Sequence, residues 1–313
     1  MYVYIIEAKY YYMIDSGVFG CEKQIISFLE SIGRNVEDIK GIFLTHSHPD
    51  HIGSAHWFQK HIGCKIYASE GEKNWIENIN LQFRERPIPN FYNLAGKSTR
   101  IDVTVKDGDI IKLENHFEIR VLRTAGHSFD DMSYCIENVM FIGDAVPVKG
   151  DIPIFINKKE TRRTLDIINE MPKVKTFYPA WDQTYSRVLW KQKIQEPKEI
   201  INLLKATVIS EDNGMEITEI VDLICKRLKI EKLKENPLFS KTIDSLRERG
   251  GEYLARTENV TSLNPSRNPQ RVIIIKFPSR EALESCFNSK QYKSIMHERL
   301  DDVDSRALIV EQE

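Results

Sequence analysis

The sequence predicts a mixed α/β (α+β) fold, in which β-sheets form the inside of the molecule and helices lie outside them. Two observations support this prediction. Short runs rich in Val, Ile, Tyr and Phe follow one another through the first half of the chain, with turn residues between them. Stretches with apolar residues at helical spacing separate or follow these runs. At 313 residues, the chain can hold one large domain or two domains of ordinary size.

The first elements lead to a histidine-rich stretch. In chain order they are a β-hairpin (2–6 and 10–14), a helix ("CEKQIISFLESIG"), a strand ("IKGIFL") and a second helix ("HIGSAHWFQKHIG"). Gly33 can end the first helix in a left-handed conformation. The polar segment "THSHPD" therefore lies where a buried strand ends and a helix begins.

The later elements continue the mixed pattern. The predicted strands are "CKIYAS", "DVTVKDGDIIKL", "FEIRVLRTAG", "MSYCIEN", "VMFIGDAV" and "VKTFYPAW". Helices are predicted around 160–170 and 192–205, and the charged segment from about 215 to 249 is typical of amphipathic helices. Beyond it we expect a strand ending "EYLAR", a strand "QRVIIIKFPS", a helix "REALESCFNSKQY" and a last strand "SRALIVEQ".

Composition and charge exclude several classes of partner. The 44 basic and 46 acidic side chains leave a net charge of only -2, which gives no basic surface for nucleic acid or for an anionic membrane. The five cysteines are far apart and lack a paired spacing, so we expect free thiols in a reducing compartment. The N-terminal segment has no basic leader, and no apolar run approaches the roughly 20 residues of a membrane span. These features predict a cytoplasmic protein that acts on a small molecule.

The stretch "LTHSHPDHIGSAH" holds half of the eight histidines in the chain. His46 and His48 stand two positions apart after a strand, so both imidazoles can project to one side and chelate one ion. Asp50 and His51 follow directly and can hold a second ion a few ångströms away. His127 in "TAGHS" and Asp144 in "GDA" each follow another predicted strand and are the next candidate ligands. The remaining histidines, His56, His61, His116 and His297, are predicted to be structural, as is Cys135.

These motifs resemble the metallo-β-lactamase fold superfamily. The matching elements are the turn "IDSG", the cluster "THSHPDHIG", and then "TAGHS" and "GDA", in the order and approximate spacing of that family. The resemblance covers residues 1 to about 205. It implies an αββα sandwich with a metal site at one edge, and hydrolysis by a metal-bound hydroxide. Zinc is the expected ion, one or two per chain, with iron or manganese as alternatives, and Asp50 is the residue expected to orient the nucleophile.

One position departs from the family pattern. Family members carry a last histidine after the final core strand, whereas this chain reads "TFYPAWDQTY" and places Trp181 there. An indole does not ligate a hard divalent ion. Asp182 is the alternative ligand, although neighbouring side chains in extended backbone point to opposite faces. The group His46, His48 and His127 is therefore expected to be intact, and the group Asp50, His51 and Asp144 to be weakened.

The segment "NLQFRERPIPNFYN" is predicted as a long connection. Its arginines, Arg84 and Arg86, beside aromatic residues would suit an anionic substrate with an apolar portion, and a solvated loop stiffened by prolines is an equal alternative. Trp181, Tyr178 and Tyr185 can line the same pocket or can serve in packing.

The C-terminal segment resembles a small uncharacterised family of ferredoxin-like dimeric α/β-barrels. The resemblance covers about 249–313 and implies dimerisation, so a homodimer is expected. The fold of that family begins with a further strand, for which "KATVIS" at 205–210 is the only candidate. We therefore predict two domains: 1–248, a metallo-β-lactamase-like domain with a helical extension, and 249–313, a partial ferredoxin-like module.

Three functions remain open at this stage. The leading hypothesis is a metal-dependent hydrolase acting on a small ester, thioester, lactone or related substrate. The first alternative is a mononuclear iron dioxygenase of the same fold, resembling the persulfide dioxygenases. The second is a non-catalytic binding or assembly protein with a decayed site. The sequence does not identify the substrate.

Overall fold

The computed structural model describes residues 1–114, 117–210, 217–230, 252–257, 272–277 and 279–288. The chain forms two compact units, Met1–Leu246 and Arg247–Glu313. The predicted final strand "SRALIVEQ", the predicted helix around 236–249, His116 and His297 lie outside the described residues. In the described ranges, no helix is both long and apolar enough to span a membrane. The four cysteines whose side chains are described are free thiols, as predicted.

The first unit contains a five-stranded sheet. Its strands, in spatial order, are β1 (Tyr4–Glu7), β2 (Tyr11–Ile14), β3 (Ile39–Phe43), β4 (Lys65–Ser69) and β5 (Val103–Val105). The strands β1 and β2 form the predicted antiparallel hairpin, and the remaining neighbours pair in parallel. Because β2, β3 and β4 run in parallel, their carboxyl ends meet at one edge of the sheet.

The second sheet of this unit has six strands. In spatial order they are β11 (Tyr185–Ser186), β10 (Thr176–Pro179), β9 (Val139–Gly143), β8 (Met132–Ile136), β7 (Glu118–Arg123) and β6 (Ile110–Lys112). Since β7 and β9 both pair antiparallel with β8, the two run in the same direction and end at the same edge. The short strand β11 was not predicted from the sequence.

Alternation along the strands shows that the two sheets pack face to face. In β2, Tyr12 and Ile14 belong to a core shared with Val121 and Tyr134 of the second sheet, whereas Met13 faces a separate core. Each sheet also buries its other face against helices, which gives three apolar layers in all. The predicted αββα sandwich is therefore confirmed.

Helices cover both outer faces. The bounds in the first unit are α1 (Glu22–Ser31), α2 (Pro49–Ile52), α3 (Ala55–Ile62), α4 (Glu70–Glu77), α5 (Ile79–Glu85), α6 (Phe91–Ala95), α7 (Lys158–Glu170), α8 (Arg187–Lys193), α9 (Gln195–Ser210) and α10 (Ile217–Leu228). Side chains of α1, α3, α4 and α6 pack on the first sheet, and side chains of α7 to α10 pack on the second. The second unit is described over an antiparallel pair, β12 (Glu252–Thr257) and β13 (Val272–Lys276), and helix α11 (Arg280–Asn288).

Four segments differ from what the sequence suggested. The predicted strand "DVTVKDGDIIKL" forms two strands, β5 in the first sheet and β6 in the second. "KATVIS" is the last part of α9 and not a strand; Thr207 and Val208 are buried there, so packing overrides the β propensity of these residues. The connection "NLQFRERPIPNFYN" contains parts of α5 and α6. The helix predicted after the histidines is divided into α2 and α3 at Gly53. A Cβ atom on Gly53 would lie 2.1 Å from the carbonyl oxygen of Leu94, so only glycine allows this close approach.

Candidate metal centre

The loops that follow three strands converge at one edge of the sandwich. His46 and His48 follow β3, His127 follows β7, and Asp144 directly follows β9. The strands β7 and β9 end at the same edge of the second sheet. The short distances between the ligand atoms show that the loop after β3 lies at this edge too. The helix α2 begins in the same loop as His48 and carries Asp50 and His51. The fold therefore brings together all six residues that the sequence singled out as first candidates.

Two overlapping groups of side chains can each hold one metal ion. In the first group, His46, His48, His127 and Asp144 each offer one ligand atom, and these atoms lie within 4.8 Å of one another. The Nε2 atom of His127 lies 2.9 Å from Nδ1 of His48, and the rings of His46 and His48 have centroids 4.2 Å apart. Three imidazoles and one carboxylate at this spacing form a donor set that suits zinc.

The second group consists of Asp50, His51 and Asp144, whose ligand atoms meet the same distance limit. The Nε2 atom of His51 lies 3.3 Å from a carboxylate oxygen of Asp144 and 3.6 Å from one of Asp50. Asp144 belongs to both groups. Its carboxylate is therefore placed to contact two ions at once.

Unpartnered buried atoms support the fit of a cation to these groups. The Nε2 atoms of His46, His48 and His51 and the Oδ1 atom of Asp144 are buried and have no hydrogen-bond partner among the described residues. Buried polar atoms are nearly always paired with protein or with ordered solvent. Several unpaired atoms that face one another are explained by a shared ligand, and nitrogen and carboxylate donors are those of a transition-metal site.

Contacts from outside the groups orient three of the imidazoles. The Nδ1 atom of His51 lies 2.8 Å from a carboxylate oxygen of Asp15, and Nδ1 of His46 lies 2.9 Å from the hydroxyl of Thr45. The Nδ1 atom of His127 contacts the carbonyl oxygen of Ile154 at 2.9 Å. Such contacts fix the tautomer and leave the other ring nitrogen free for an ion. Asp15 was noted in the turn "IDSG", but its role as an orienting carboxylate was not predicted.

Glu72 connects the two loops that carry the histidines. Its buried carboxylate accepts hydrogen bonds from the Ser47 backbone N–H at 3.3 Å and from the Ser47 hydroxyl. The other oxygen accepts from the Ser128 hydroxyl and from the Asp130 backbone N–H, the latter at 2.8 Å. One side chain of α4 therefore holds the loop of His46 and His48 against the loop of His127. No sequence pattern marks Glu72 as special, because acidic side chains at the start of a helix are common.

Burial and charge set the protonation of the histidines. Burial, followed by the neighbouring His51 and His127, lowers the pKa of His46 well below 6.5. Burial also lowers the pKa of His48 and His127, with Arg86 contributing to both shifts. These imidazoles are therefore neutral at pH 7, which is the state that binds metal.

His51 behaves in the opposite way. Burial lowers its pKa, but the carboxylates of Asp144, Asp15 and Asp50 together raise it well above 6.5. The pKa of Asp144 is lowered in return: burial raises it, and the stronger combined effect of His51 and His127 lowers it. Protonation of His51 therefore competes with the binding of a cation to the second group.

Two backbone positions in these loops require unusual conformations. Gly126 has φ +138, and a Cβ atom there would lie 2.5 Å from the Thr161 hydroxyl. Asp15 has φ 61, in the left-handed region, and its carboxylate accepts a 2.8 Å hydrogen bond from the Thr45 backbone N–H. Both positions turn the chain sharply, which brings His127 and the support of His51 to the site.

The remaining site predictions have mixed outcomes. Trp181 is about half exposed and lines a cavity together with Asp50 and Asp144. Asp182, the alternative ligand, is not in either group: its carboxylate contacts the Tyr185 hydroxyl at 2.6 Å and the Lys193 ammonium at 2.9 Å. The two neighbouring side chains therefore have different surroundings, and Trp181 alone lines the cavity.

The other aromatic and basic candidates do not line that cavity. Tyr178 stacks on Phe141 in the layer between the sheets, and Tyr185 is buried beneath the helices of the second sheet. Arg84 is exposed. Arg86 is buried, lies 5.9 Å from the Trp75 ring and has a pKa lowered by burial to about 10.

The residues predicted to be structural have structural contacts. His56 and His61 lie in α3, where their Nδ1 atoms contact the backbone carbonyl oxygens of Ser98 and Trp57. Cys135 is buried in β8, and burial raises the pKa of its thiol to about 12, so it is no nucleophile at neutral pH.

The chain belongs to the metallo-beta-lactamase superfamily. The family model with that description matches residues 1–181. A second model, described as a domain of unknown function (DUF1330), matches residues 234–312. The resemblance inferred from the motifs is thereby confirmed.

Curated relatives are similar to part of this chain. A protein named hydroxyacylglutathione hydrolase from Prochlorococcus marinus (strain MIT 9301) is 27% identical over 56% of this chain and 69% of its own length. A protein of the same name from Hahella chejuensis is 24% identical over 56% of this chain and 61% of its own length. Hydroxyacylglutathione hydrolase GloC from Haemophilus influenzae is 30% identical over 43% of this chain and 60% of its own length. The chain thus spans about three fifths to two thirds of the length of these relatives.

Solved structures share the fold. A metallo-beta-lactamase family protein from Thermus thermophilus superposes with a TM-score of 0.63 at 19% identity, covering 81% of this chain and 90% of that protein. A class B3 di-zinc metallo-beta-lactamase from an Alaskan soil metagenome superposes with a TM-score of 0.52 at 14% identity, covering 64% and 86%. At these identities the likeness establishes the fold alone.

Proposed function

We propose that the chain is a metal-dependent hydrolase of a small ester, thioester or lactone. One observation carries this proposal: the ligand atoms of His46, His48, His127 and Asp144 lie within 4.8 Å of one another. Membership of a superfamily that includes hydrolases, and relatives named as hydrolases of a glutathione thioester, support a hydrolytic reaction. Among the substrate classes, the names of these relatives favour thioesters.

The expected ions are one or two zinc ions per chain, held by the two groups. A bound ion of this kind lowers the pKa of a coordinated water to about 7 and polarises a carbonyl oxygen. Asp144 belongs to both groups, so its carboxylate would contribute to either ion. Asp50 lines the cavity, where its carboxylate can orient the attacking water and accept its proton. Asp15 orients the imidazole of His51.

The proposal is tested by metal analysis and by assay of the same protein. The full chain is purified, its zinc, iron and manganese contents are measured, and hydrolysis is followed on ester, thioester, lactone and phosphodiester panels. His48→Ala is expected to reduce both metal content and hydrolysis, by about a hundredfold or more for the reaction. His61→Ala is the matched control, because His61 contacts the backbone and the ring of Trp57 within α3. Equal metal content and activity in wild type and His48→Ala would overturn the proposal.

A second candidate is a mononuclear iron dioxygenase. The observation that favours it is the unequal size of the two groups: four donors surround the first position, whereas three donors from the described residues form the second. Histidines with one carboxylate also suit iron. One iron per chain, with oxygen consumed in proportion to a thiol or persulfide substrate, would replace hydrolysis by oxidation. Absence of any tightly bound metal would instead indicate a binding or assembly protein.

A further inference from the structure

A cavity of about 300 Å³ opens directly above the candidate metal centre. His48, His127, Asp50 and Asp144 form its floor. Its walls come from the segment between β9 and α7 and from the end of β10. The wall residues are Gly143, Val146, Pro147, Val148, Asp151, Ile152, Ile154, Pro179 and Trp181.

The wall is predominantly apolar and is fixed to the body of the protein. Ile152 packs against the core beneath the second sheet, and Phe155 is fully buried in that core. The carbonyl oxygen of Ile154 contacts Nδ1 of His127, and the backbone N–H of Ile156 donates to the Gly126 carbonyl oxygen at 2.7 Å. The segment therefore provides a preformed apolar surface next to the ligands.

Charge distinguishes this cavity from a site for anions. Apart from the candidate ligands, Asp151 is the only ionisable residue among the lining residues, and no lysine or arginine lines the cavity in the part of the chain that the structure describes. Arg86, the basic residue that sequence analysis associated with an anionic substrate, is buried outside this lining. Away from the candidate ligands, an anionic group at the cavity wall would face the Asp151 carboxylate and would find no basic side chain among the described lining residues.

We propose that this cavity binds an uncharged aliphatic or aromatic portion of the substrate, so that the enzyme prefers small neutral thioesters and esters over conjugates of glutathione. This inference rests on the proposed hydrolase function. A glutathione thioester carries two carboxylates and one ammonium group at neutral pH, and the described wall residues offer no basic side chain to pair with its excess negative charge. The volume also lies at the low end of ligand pockets, which run from about 300 to 1,000 Å³. Trp181 and the aliphatic wall residues instead complement a compact apolar group.

The test compares two substrates that share one acyl group. Hexanoyl-N-acetylcysteamine is a neutral thioester, and hexanoyl-glutathione is its anionic counterpart. The expected result on the zinc-loaded full chain is a kcat/KM at least about tenfold higher for the neutral thioester. Binding of the matching non-hydrolysable thioethers, S-hexyl-N-acetylcysteamine and S-hexylglutathione, is measured by calorimetry and should show the same order.

A charge reversal at the wall tests the cause of the preference. Asp151→Lys is expected to reduce the ratio of kcat/KM for the neutral thioester to kcat/KM for the anionic thioester by about tenfold, because it places a cation at the cavity. Glu170→Lys is the matched control: Glu170 is exposed at the end of α7, does not line the cavity, and its replacement should leave the ratio unchanged. An unchanged ratio in Asp151→Lys, or an equal change in Glu170→Lys, would contradict the electrostatic argument.

The outcomes separate this inference from the proposed function. Faster turnover of hexanoyl-glutathione would overturn the inference while the hydrolase function stands. Preferential binding of the neutral thioether, without hydrolysis of either thioester, would support the cavity assignment and overturn the hydrolase function. Equal or absent binding of both thioethers would overturn the inference.

Discussion

A carboxylate oxygen of Asp15 lies 2.8 Å from Nδ1 of His51. The same carboxylate accepts a hydrogen bond from the Thr45 backbone N–H through its other oxygen. In Asp15→Asn, an amide that keeps the Thr45 contact turns its NH₂ group towards His51. That group donates to Nδ1 and moves the imidazole proton to Nε2, the atom needed for an ion.

We therefore predict that Asp15→Asn lowers metal affinity at the second group by roughly 10- to 100-fold. Competition titration with a chromogenic chelator measures the change. Asp166→Asn serves as the control, because Asp166 is exposed and pairs with Lys198 on the surface. Unaltered affinity in Asp15→Asn would show that the Asp15 contact does not set the tautomer.

Acid is expected to release metal from the two groups in two steps. The pKa of His51 is raised by the surrounding carboxylates, so a proton competes with metal at the second group even near neutrality. The pKa of His46 and of His48 is lowered by burial, so protons compete at the first group only in stronger acid. The protein is dialysed at a series of pH values between about 5 and 8, and the metal retained per chain is measured. As the pH is lowered, this content should fall first to half of its initial value and then to zero. A single step would refute this order.

Stability of the metal-free protein should also fall in acid. The folded-state pKa values of His46, His48 and His127 lie below 6.5, so the unfolded chain binds protons at these residues first. The free energy of unfolding therefore decreases as the pH drops below about 6.5, by up to about 1.4 kcal/mol per pH unit for each group. Well below that pH, His51 is protonated in both states and adds no slope. Urea unfolding with chelator present measures the effect. His48→Ala should reduce the dependence of the unfolding free energy on pH by the contribution of one histidine.

Glu72→Gln is predicted to loosen the link between the two histidine loops. An amide in place of the carboxylate sets an NH₂ group against the backbone N–H of either Ser47 or Asp130, because each carboxylate oxygen accepts one of them. Leaving one such buried donor unpaired costs about 1–3 kcal/mol of stability. Chemical denaturation measures this loss, and metal affinity should fall with it. Glu70→Gln, an exposed glutamate at the start of the same helix, is the control.

Trp181→His is predicted to strengthen metal binding at the second group. Trp181 lines the cavity beside Asp50 and Asp144 and occupies the sequence position at which the family resemblance leads one to expect a histidine. An imidazole there adds a donor to a group of three. Metal content at limiting zinc should rise towards two ions per chain, whereas Trp181→Phe should leave it at the wild-type value. Equal metal content in both variants would place residue 181 out of reach of the ion.

The candidate ligands could be predicted from the sequence, but the residues that support them could not. His46, His48 and His51 were identifiable because they crowd into one loop, and His127 and Asp144 because they follow strands in the expected order. Asp15 and Glu72 act through contacts formed only when distant segments meet: Glu72 contacts Ser128, which lies 56 positions away along the chain. No local pattern separates such a carboxylate from a solvated one.

The errors in secondary structure have a similar origin. Pro87 and Pro89 made the segment around them resemble a loop, although α5 ends before them and α6 begins after them. Thr207 and Val208 belong to a run with strand propensity, yet the run continues a long helix whose other residues contact the outer core. The context of the whole fold decided both cases.

Because one carboxylate, that of Asp144, is a member of both donor groups, the two positions do not vary independently. A change at His46 or at Asp50 removes a donor from one position alone, whereas a change at Asp144 removes a donor from both. Substitutions that adapt this centre to a different ion or number of ions can therefore occur at a residue that belongs to one position alone. A substitution at residue 144 changes both positions together.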